Sequence, residues 1–170
     1  ACAGRVTGME QQDILSMTLP ELQAAVQELG EPKFRAKQIF NWLHQKRVTD
    51  FSEMTTLSLP FRERLASDFC INRLKIAKRL ASSVDDTVKY LYELPDGNYV
   101  ETVCMQYHHG TSLCISTQVG CRMGCRFCAS AIAGFVRNLT PAEMLLQIYE
   151  TERAQNCKIS SLVLMGIGEP

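Results

Sequence analysis

Three cysteines fall within eight residues, at Cys121, Cys125 and Cys128, in the run Gly120-Cys-Arg-Met-Gly-Cys-Arg-Phe-Cys128. The spacing is C-x3-C-x2-C, and Phe127 directly precedes the last cysteine. Thiolates are the usual ligands of iron–sulfur clusters, and a four-iron cluster ordinarily takes four of them. A cluster held by three keeps one iron open, as a catalytic metal site keeps a position for substrate. The competing reading is a zinc site completed by Cys114 or a histidine. Against zinc, the sequence has no second C-x-x-C and no H-x-H pair. Gly120 and Gly124 permit tight turns around a bulky group. The triplet therefore reads as an iron–sulfur site.

A second candidate is Gly166-Ile-Gly-Glu169, directly after an apolar run that reads as a strand. Paired glycines beside a carboxylate suit close backbone approach to a polar ligand. In parallel sheets, ligands bind at that end of the strands. A short G-x-G is weak by itself, and a plain turn is its ordinary meaning. The cysteine loop, expected at the same end of a neighbouring strand, favours the ligand-binding reading.

The elements that must position these groups follow from periodicity and caps. Thr18-Leu-Pro-Glu21 has capping-box spacing, and Leu19, Leu22, Val26 and Leu29 then recur on one helical face up to Gly30. A second helix is expected from Lys33 to about Arg47, with Ala36, Ile39, Phe40 and Leu43 as its stripe. Ser52 is expected to cap a short turn after Asp50, and Pro60 to open a third helix to about Phe69. Residues 1–17 show no period and read as a loose terminus. Near residue 75 the pattern changes to β-rich runs, 75–80, 87–94 and 98–106, with Pro95-Asp-Gly97 as a turn. Thr111–Ser116 is a further strand, Pro141–Gln155 a helix capped by Thr140 and Glu143, and Ser160–Met165 another strand. Strand, loop, helix and strand make a βαβ unit and imply a parallel sheet.

Composition narrows the class. Formal net charge is zero, so no global field advertises a nucleic-acid partner. No apolar run is long enough to span a membrane, and the N-terminus lacks the apolar core of a signal peptide. A cytoplasmic protein with no membrane partner is expected. The eight cysteines are too unevenly spread for a disulfide scaffold. Cys2, Cys70 and Cys157 read as incidental thiols. Trp42 reads as core, and His108-His109 as a loop. A single βαβ unit cannot close a sheet, so the chain is expected to be the front part of a longer protein.

The cysteine segment resembles the radical S-adenosylmethionine (SAM) superfamily, whose signature is C-x3-C-x-aromatic-C. More of the chain is similar to one group within it: Pro32-Lys-Phe-Arg-Ala-Lys-Gln-Ile-Phe-Asn-Trp-Leu-His44, Asp50-Phe-Ser-Glu-Met-Thr55, Glu101-Thr-Val103, Cys114-Ile-Ser-Thr-Gln-Val-Gly-Cys121, Gly134-Phe-Val-Arg-Asn-Leu-Thr140 and Met165-Gly-Ile-Gly-Glu-Pro170. These runs look like the RlmN/Cfr group of radical SAM RNA methyltransferases. The resemblance implies a mixed α/β fold in three parts. Residues 1–74 would be a helical accessory and RNA-binding domain, 75–107 a β-hairpin linker, and 108–170 the truncated start of a partial (β/α) barrel.

The same resemblance implies the chemistry. Cys121, Cys125 and Cys128 would ligate a four-iron, four-sulfur cluster whose open iron chelates SAM. Gly168 and Glu169 would bind the SAM amino group. Phe127 would lie near its adenine, although an ordinary core aromatic is an equal reading. One SAM methylates a cysteine beyond residue 170, and a second yields a radical that activates that methyl group. The methyl carbon then adds to an adenine of 23S ribosomal RNA, with transfer RNA as a further substrate of some members. Glu101 would accept the proton, and Cys114 would resolve the covalent adduct by forming a disulfide with the downstream cysteine. On residue type alone, Cys114 is a buried strand thiol and Glu101 an exposed hairpin carboxylate. Lys33, Arg35, Lys37 and Arg47 are a solvated basic face, and the resemblance adds phosphate contact. An electron donor such as a flavodoxin and a monomeric state are implied. The helical runs and Gly134-Phe-Val-Arg-Asn138 favour methylation at carbon 2 of adenine. Methylation at carbon 8 is the nearest alternative, and a non-catalytic zinc-binding RNA module is another. The segment alone is expected to be inactive.

Overall fold

In a computed structural model, which describes residues 11–132 and 134–169, the chain divides into two units, residues 1–72 and 73–170. Cys2 and residues 1–10 lie outside the described residues.

In the first unit the capping box forms as its spacing predicts. The Thr18 backbone N–H donates to the Glu21 carboxylate at 2.7 Å and opens helix α1 (Leu19–Glu28). Gly30, at φ +78°, takes the left-handed conformation that ends it. Helix α2 (Phe34–His44) is shorter than expected, and α3 (Leu59–Asp68) carries Pro60 in its first turn. The core is built from Leu22, Val26, Ala36, Ile39, Leu43, Phe61 and Leu65. The turn at Phe51–Glu53 is capped by Asp50, not Ser52: the Asp50 carboxylate accepts from the Ser52 N–H at 2.7 Å. Residues 12–17 are not a loose terminus. Gln12–Asp13 (β1) pairs in parallel with Phe69–Cys70 (β2), and Ile14, Leu15 and Met17 are buried. So short an apolar run has no period to read.

Trp42 is not core either. It is half-buried, with its indole N–H donating to Thr56 Oγ1 at 2.8 Å and the Lys46 ammonium 3.5 Å above its ring. His44 lies tilted against the Phe40 ring, 4.1 Å between centroids, and burial holds its imidazole below its usual range. The unfolded chain therefore binds that proton more readily than the folded one. Stability is expected to fall as pH drops through roughly 6.5, the unperturbed histidine value. Urea midpoints measured at about pH 8 and about pH 5.5 test this, and His44→Gln should flatten the slope.

The second unit is a five-stranded sheet in the order β3-β4-β5-β6-β9, formed by Lys75–Ala81 (β3), Val88–Glu93 (β4), Tyr99–Tyr107 (β5), Gly110–Cys114 (β6) and Ile159–Val163 (β9). The first four strands run antiparallel in sequence order, and β9 pairs parallel with β6. Segment 75–107 is thus three strands of the same sheet, continuous with β6 through the β5–β6 ladder. Its apolar alternation continues from β4 into β5 because one face of both strands is buried. Every residue of the edge strand β3 is exposed, and Lys75, Lys78 and Arg79 discourage pairing with another chain there.

Helix α4 (Pro141–Gln155) crosses from β6 to β9 and covers one sheet face. Cys104, Leu113 and Ile115 pack there against Met144 and Ile148. Beside this apolar cluster runs a buried polar row, Glu143, Gln147 and Thr151. Thr151 Oγ1 and the Tyr92 hydroxyl lie 2.8 Å apart, and Thr102 Oγ1 donates to Gln147 Oε1 at 2.8 Å. Glu143 takes two bonds from Arg137, at 2.8 and 2.7 Å. A separate two-stranded ribbon, β7 (Gln118–Gly120) with β8 (Phe135–Asn138), brackets the cysteine segment.

Candidate functional site

Residues opposite one another on neighbouring strands share a face. Cys104 and Leu113 are such a pair and pack under α4. Val103 and Cys114 are the next pair and lie on the other face. Glu101, two residues from Val103, shares that face. The fold therefore brings Glu101 and Cys114 together as diagonal neighbours on the face away from α4, a separation of about 7–8 Å between such positions. The Glu101 carboxylate forms an ion pair with Lys89 Nζ at 2.7 Å, also on this face. Cys114 is half-buried.

The segment after β9 folds back along residues 115–118. Ile115 N–H donates to Val163 O at 3.0 Å, Gly166 N–H to Ile115 O at 3.0 Å, and Thr117 N–H to Ile167 O at 2.9 Å. A β-carbon at Gly166 would sit 2.6 Å from Ile115 O, and one at Gly168 would sit 2.6 Å from Gln118 Cβ. Gly166 is thus required by the neighbouring backbone, and Gly168 by its φ of +113° and the Gln118 and Thr117 side chains against it, whatever ligand approaches. Glu169 is exposed, and its N–H donates to Gln118 Oε1 at 3.1 Å. Gln118 Nε2 in turn donates to Asn138 Oδ1 at 2.9 Å. The Gly166–Glu169 turn therefore lies beside β7, which leads into Cys121.

The cysteine loop is closed at its neck by the Cys121 N–H donating to Gly134 O at 3.1 Å. Cys125 is exposed, and Cys121 and Cys128 are half-buried. Cys128 N–H donates to Cys125 O at 3.1 Å, which makes a tight turn between the last two thiols. Phe127 is 94% exposed, so it is not a core aromatic in this structure. Among the described residues, no group of three or more Cys, His, Asp or Glu side chains is gathered into a metal site, by these thiols or with Cys114 or a histidine. His108 and His109 lie in the β5–β6 turn, at the start of β6, whereas Cys114 ends that strand. The donor chemistry fits an iron–sulfur cluster. The loop offers three thiols and no carboxylate or imidazole, and Arg122 and Arg126 supply positive charge beside them.

Of the other cysteines, Cys70 and Cys104 are buried. Burial, with Cys157 as a neighbour, pushes the Cys104 thiol up to about 11. Sequence reasoning did not single out Lys89, Ser116, Gln118 or Gln147. All are polar residues of ordinary types, and only the fold brings them to the candidate groups.

Comparisons with known proteins agree with this architecture. Residues 12–71 match the family described as Ribosomal RNA large subunit methyltransferase N-terminal domain. The chain is 54% identical over 164 residues to a probable dual-specificity RNA methyltransferase RlmN of Lachnoclostridium phytofermentans, covering 95% of this chain and 45% of that protein. It is 49% identical over 160 residues to the protein of the same name in Bacillus cytotoxicus, covering 92% and 44%. Its fold matches the crystal structure of a radical SAM methyltransferase from Sphaerobacter thermophilus with a TM-score of 0.83 and 35% identity, covering 94% of this chain and 48% of the other. The chain spans about half the length of the curated relatives it matches. Along nearly all of its own length the chain is similar to proteins named RlmN RNA methyltransferases and to a radical SAM methyltransferase of known structure, and its residues 12–71 match the N-terminal domain family.

Proposed function

We propose that this chain is part of a radical SAM RNA methyltransferase that methylates carbon 2 of an adenosine in 23S ribosomal RNA. Transfer RNA is its second substrate class. The observation that carries the reading is one convergence. The cysteine loop and the Gly166–Glu169 turn are both held against residues 115–120, while Glu101 and Cys114 share one sheet face beside them. In this reading Cys121, Cys125 and Cys128 hold the four-iron, four-sulfur cluster. Together, cluster and SAM supply one-electron chemistry for activating an unreactive methyl group.

The chain's own residues do the rest. Gly168 and Glu169 bind the SAM amino group. Phe127, exposed beside the cluster loop, stacks on its adenine. Glu101, oriented by Lys89, accepts the proton from the methylated ring carbon. The Cys114 thiol releases the product by thiol chemistry with a second cysteine of the full-length protein. In the first unit, Lys33, at the N-cap of α2, and Lys37, one turn on, are exposed and contact RNA phosphates. Arg35 is already engaged by Glu31 at 3.7 Å. The protein acts in the cytoplasm, with a flavodoxin-type electron donor and as a monomer. No helix of the described residues is long and apolar enough to cross a membrane.

Anaerobic reconstitution with iron and sulfide tests the metal assignment. A broad iron–sulfur absorbance and about four irons per chain are expected. Cys121→Ser, Cys125→Ser and Cys128→Ser should each abolish both signals. Stoichiometric zinc without sulfide would sink the proposal. Mass spectrometry of the nucleoside made by the full-length protein separates carbon 2 from carbon 8.

A further inference from the structure

Ser116 occupies the point where the candidate groups are joined. The ladder between β5 and β6 ends at Val103 and Cys114. Two residues further, the same register would set Glu101 across from Ser116. There the backbone bond is replaced by a side chain: the Ser116 hydroxyl donates to the Glu101 carbonyl at 2.6 Å. The same oxygen accepts the Ile167 N–H at 3.0 Å. One buried hydroxyl, on a residue with no solvent exposure, thus ties the Glu101 strand to the Gly166–Glu169 turn.

Ser116 is itself fixed from the opposite side. Gln147 Oε1 accepts its N–H at 2.9 Å, and Gln147 Nε2 donates to its carbonyl at 3.0 Å. This side chain treats Ser116 as a neighbouring strand would. Gln147 is fully buried and bonded at both amide atoms, so its orientation is set. Ser116 is also two residues from Cys114 and five from Cys121. A shift at this residue reaches all four candidate elements.

We propose that Ser116, clamped by Gln147, is a positioning residue that couples the Glu101 strand to the SAM-binding turn. It sets their separation and aligns the bound amino acid moiety of SAM with the carboxylate that takes the proton. The inference rests on the proposed function for the identity of the ligand. The tether itself is read from the hydrogen bonds.

The test uses the reconstituted protein, with S-adenosylhomocysteine as probe, followed by calorimetry and amide hydrogen exchange. Ser116→Ala should keep its iron and sulfide but bind the probe about 10- to 100-fold more weakly, the usual effect of losing a partner that orients a ligand-binding group. Exchange at Ile167 should accelerate in the same variant. Ser116→Thr keeps the hydroxyl and should recover most of both. Tyr92→Phe removes another buried hydroxyl, whose bond to Thr151 lies away from the turn. It should lower the melting temperature without changing probe affinity.

A second measurement needs no variant. In the wild type, adding the probe should slow exchange at residues 166–169 and at Glu101–Thr102 together. Slowing at the turn alone would overturn the coupling, as would a folded Ser116→Ala that binds like the wild type. A cluster-loaded wild type that fails to bind the probe overturns the proposed function and this inference with it. Normal wild-type binding with unaltered Ser116→Ala overturns this inference only.

Discussion

Gly120→Ala is expected to abolish cluster uptake while leaving every candidate ligand in place. Gly120 has φ +71°, in the left-handed region, and a β-carbon there would lie 1.7 Å from the Gly134 carbonyl oxygen and 2.8 Å from its carbon. Both atoms are backbone, so no rotamer change can relieve the clash. The loop neck must open, and the Cys121 N–H bond to Gly134 is lost with it. Left-handed backbone at a non-glycine costs about 1–2 kcal/mol, and the broken bond adds about 1 kcal/mol. The larger effect is on geometry, because Cys121 lies at that neck.

Gly124→Ala is the control. Its φ of +64° imposes similar strain, but a β-carbon there meets nothing within 4 Å. It should bind iron at close to the wild-type level. Iron and sulfide content after reconstitution, with a melting curve for each variant, decides the matter. Full iron loading in Gly120→Ala would show that the neck does not shape the site.

Gln147→Leu should cause the largest loss of stability from a single substitution in the second unit. Leucine fits the helix and has comparable bulk, so neither propensity nor a cavity dominates. What disappears is a set of bonds: Thr102 Oγ1, the Ser116 N–H and the Ser116 carbonyl all lose their partner in a buried setting. Each unsatisfied buried group costs about 1–3 kcal/mol, and a total of about 3–5 kcal/mol is expected. Thr102→Val removes one of these bonds together with its donor and should cost only about 1 kcal/mol. Equal urea midpoints for the wild type and Gln147→Leu would refute the claim.

Some of the fold was plain in the amino-acid order, and the reasons are local. Thr18/Glu21 and Thr140/Glu143 signal helix starts through bonds that span three residues, so no tertiary context is needed to read them. The alternation of β4 and β5 was legible because one face of each is buried. The ribbon of β7 and β8 was not. Its strands are three and four residues long, and β8 is largely exposed, so no period distinguishes it from a loop. Ile14 and Leu15 were passed over for a similar reason: two apolar residues cannot show which face is buried.

The candidate site divides in the same way. The cysteine triplet declares itself because its chemistry is written in spacing alone. Ser116 and Gln147 declare nothing, since serine and glutamine are ordinary surface residues until a fold buries them. Glu143, Gln147 and Thr151 even recur every fourth residue, which normally marks the solvent side of a helix. Only the positions of Arg137, Thr102 and Tyr92 reveal that this row faces inward.

That inward polar row limits how the sequence can drift. An apolar helix–sheet contact accepts leucine for isoleucine or methionine one residue at a time, because neighbours repack around a changed shape. A contact made of matched donors and acceptors accepts change less readily, since every change there loses a bond and a change at Gln147 strands the groups it pairs. Thr102 with Gln147, Tyr92 with Thr151, and Arg137 with Glu143 should therefore be inherited or exchanged as couples. Across diverging relatives these pairs should form a lineage marker of how α4 is seated on its sheet, readable as correlated substitutions even where the surrounding apolar residues are shuffled.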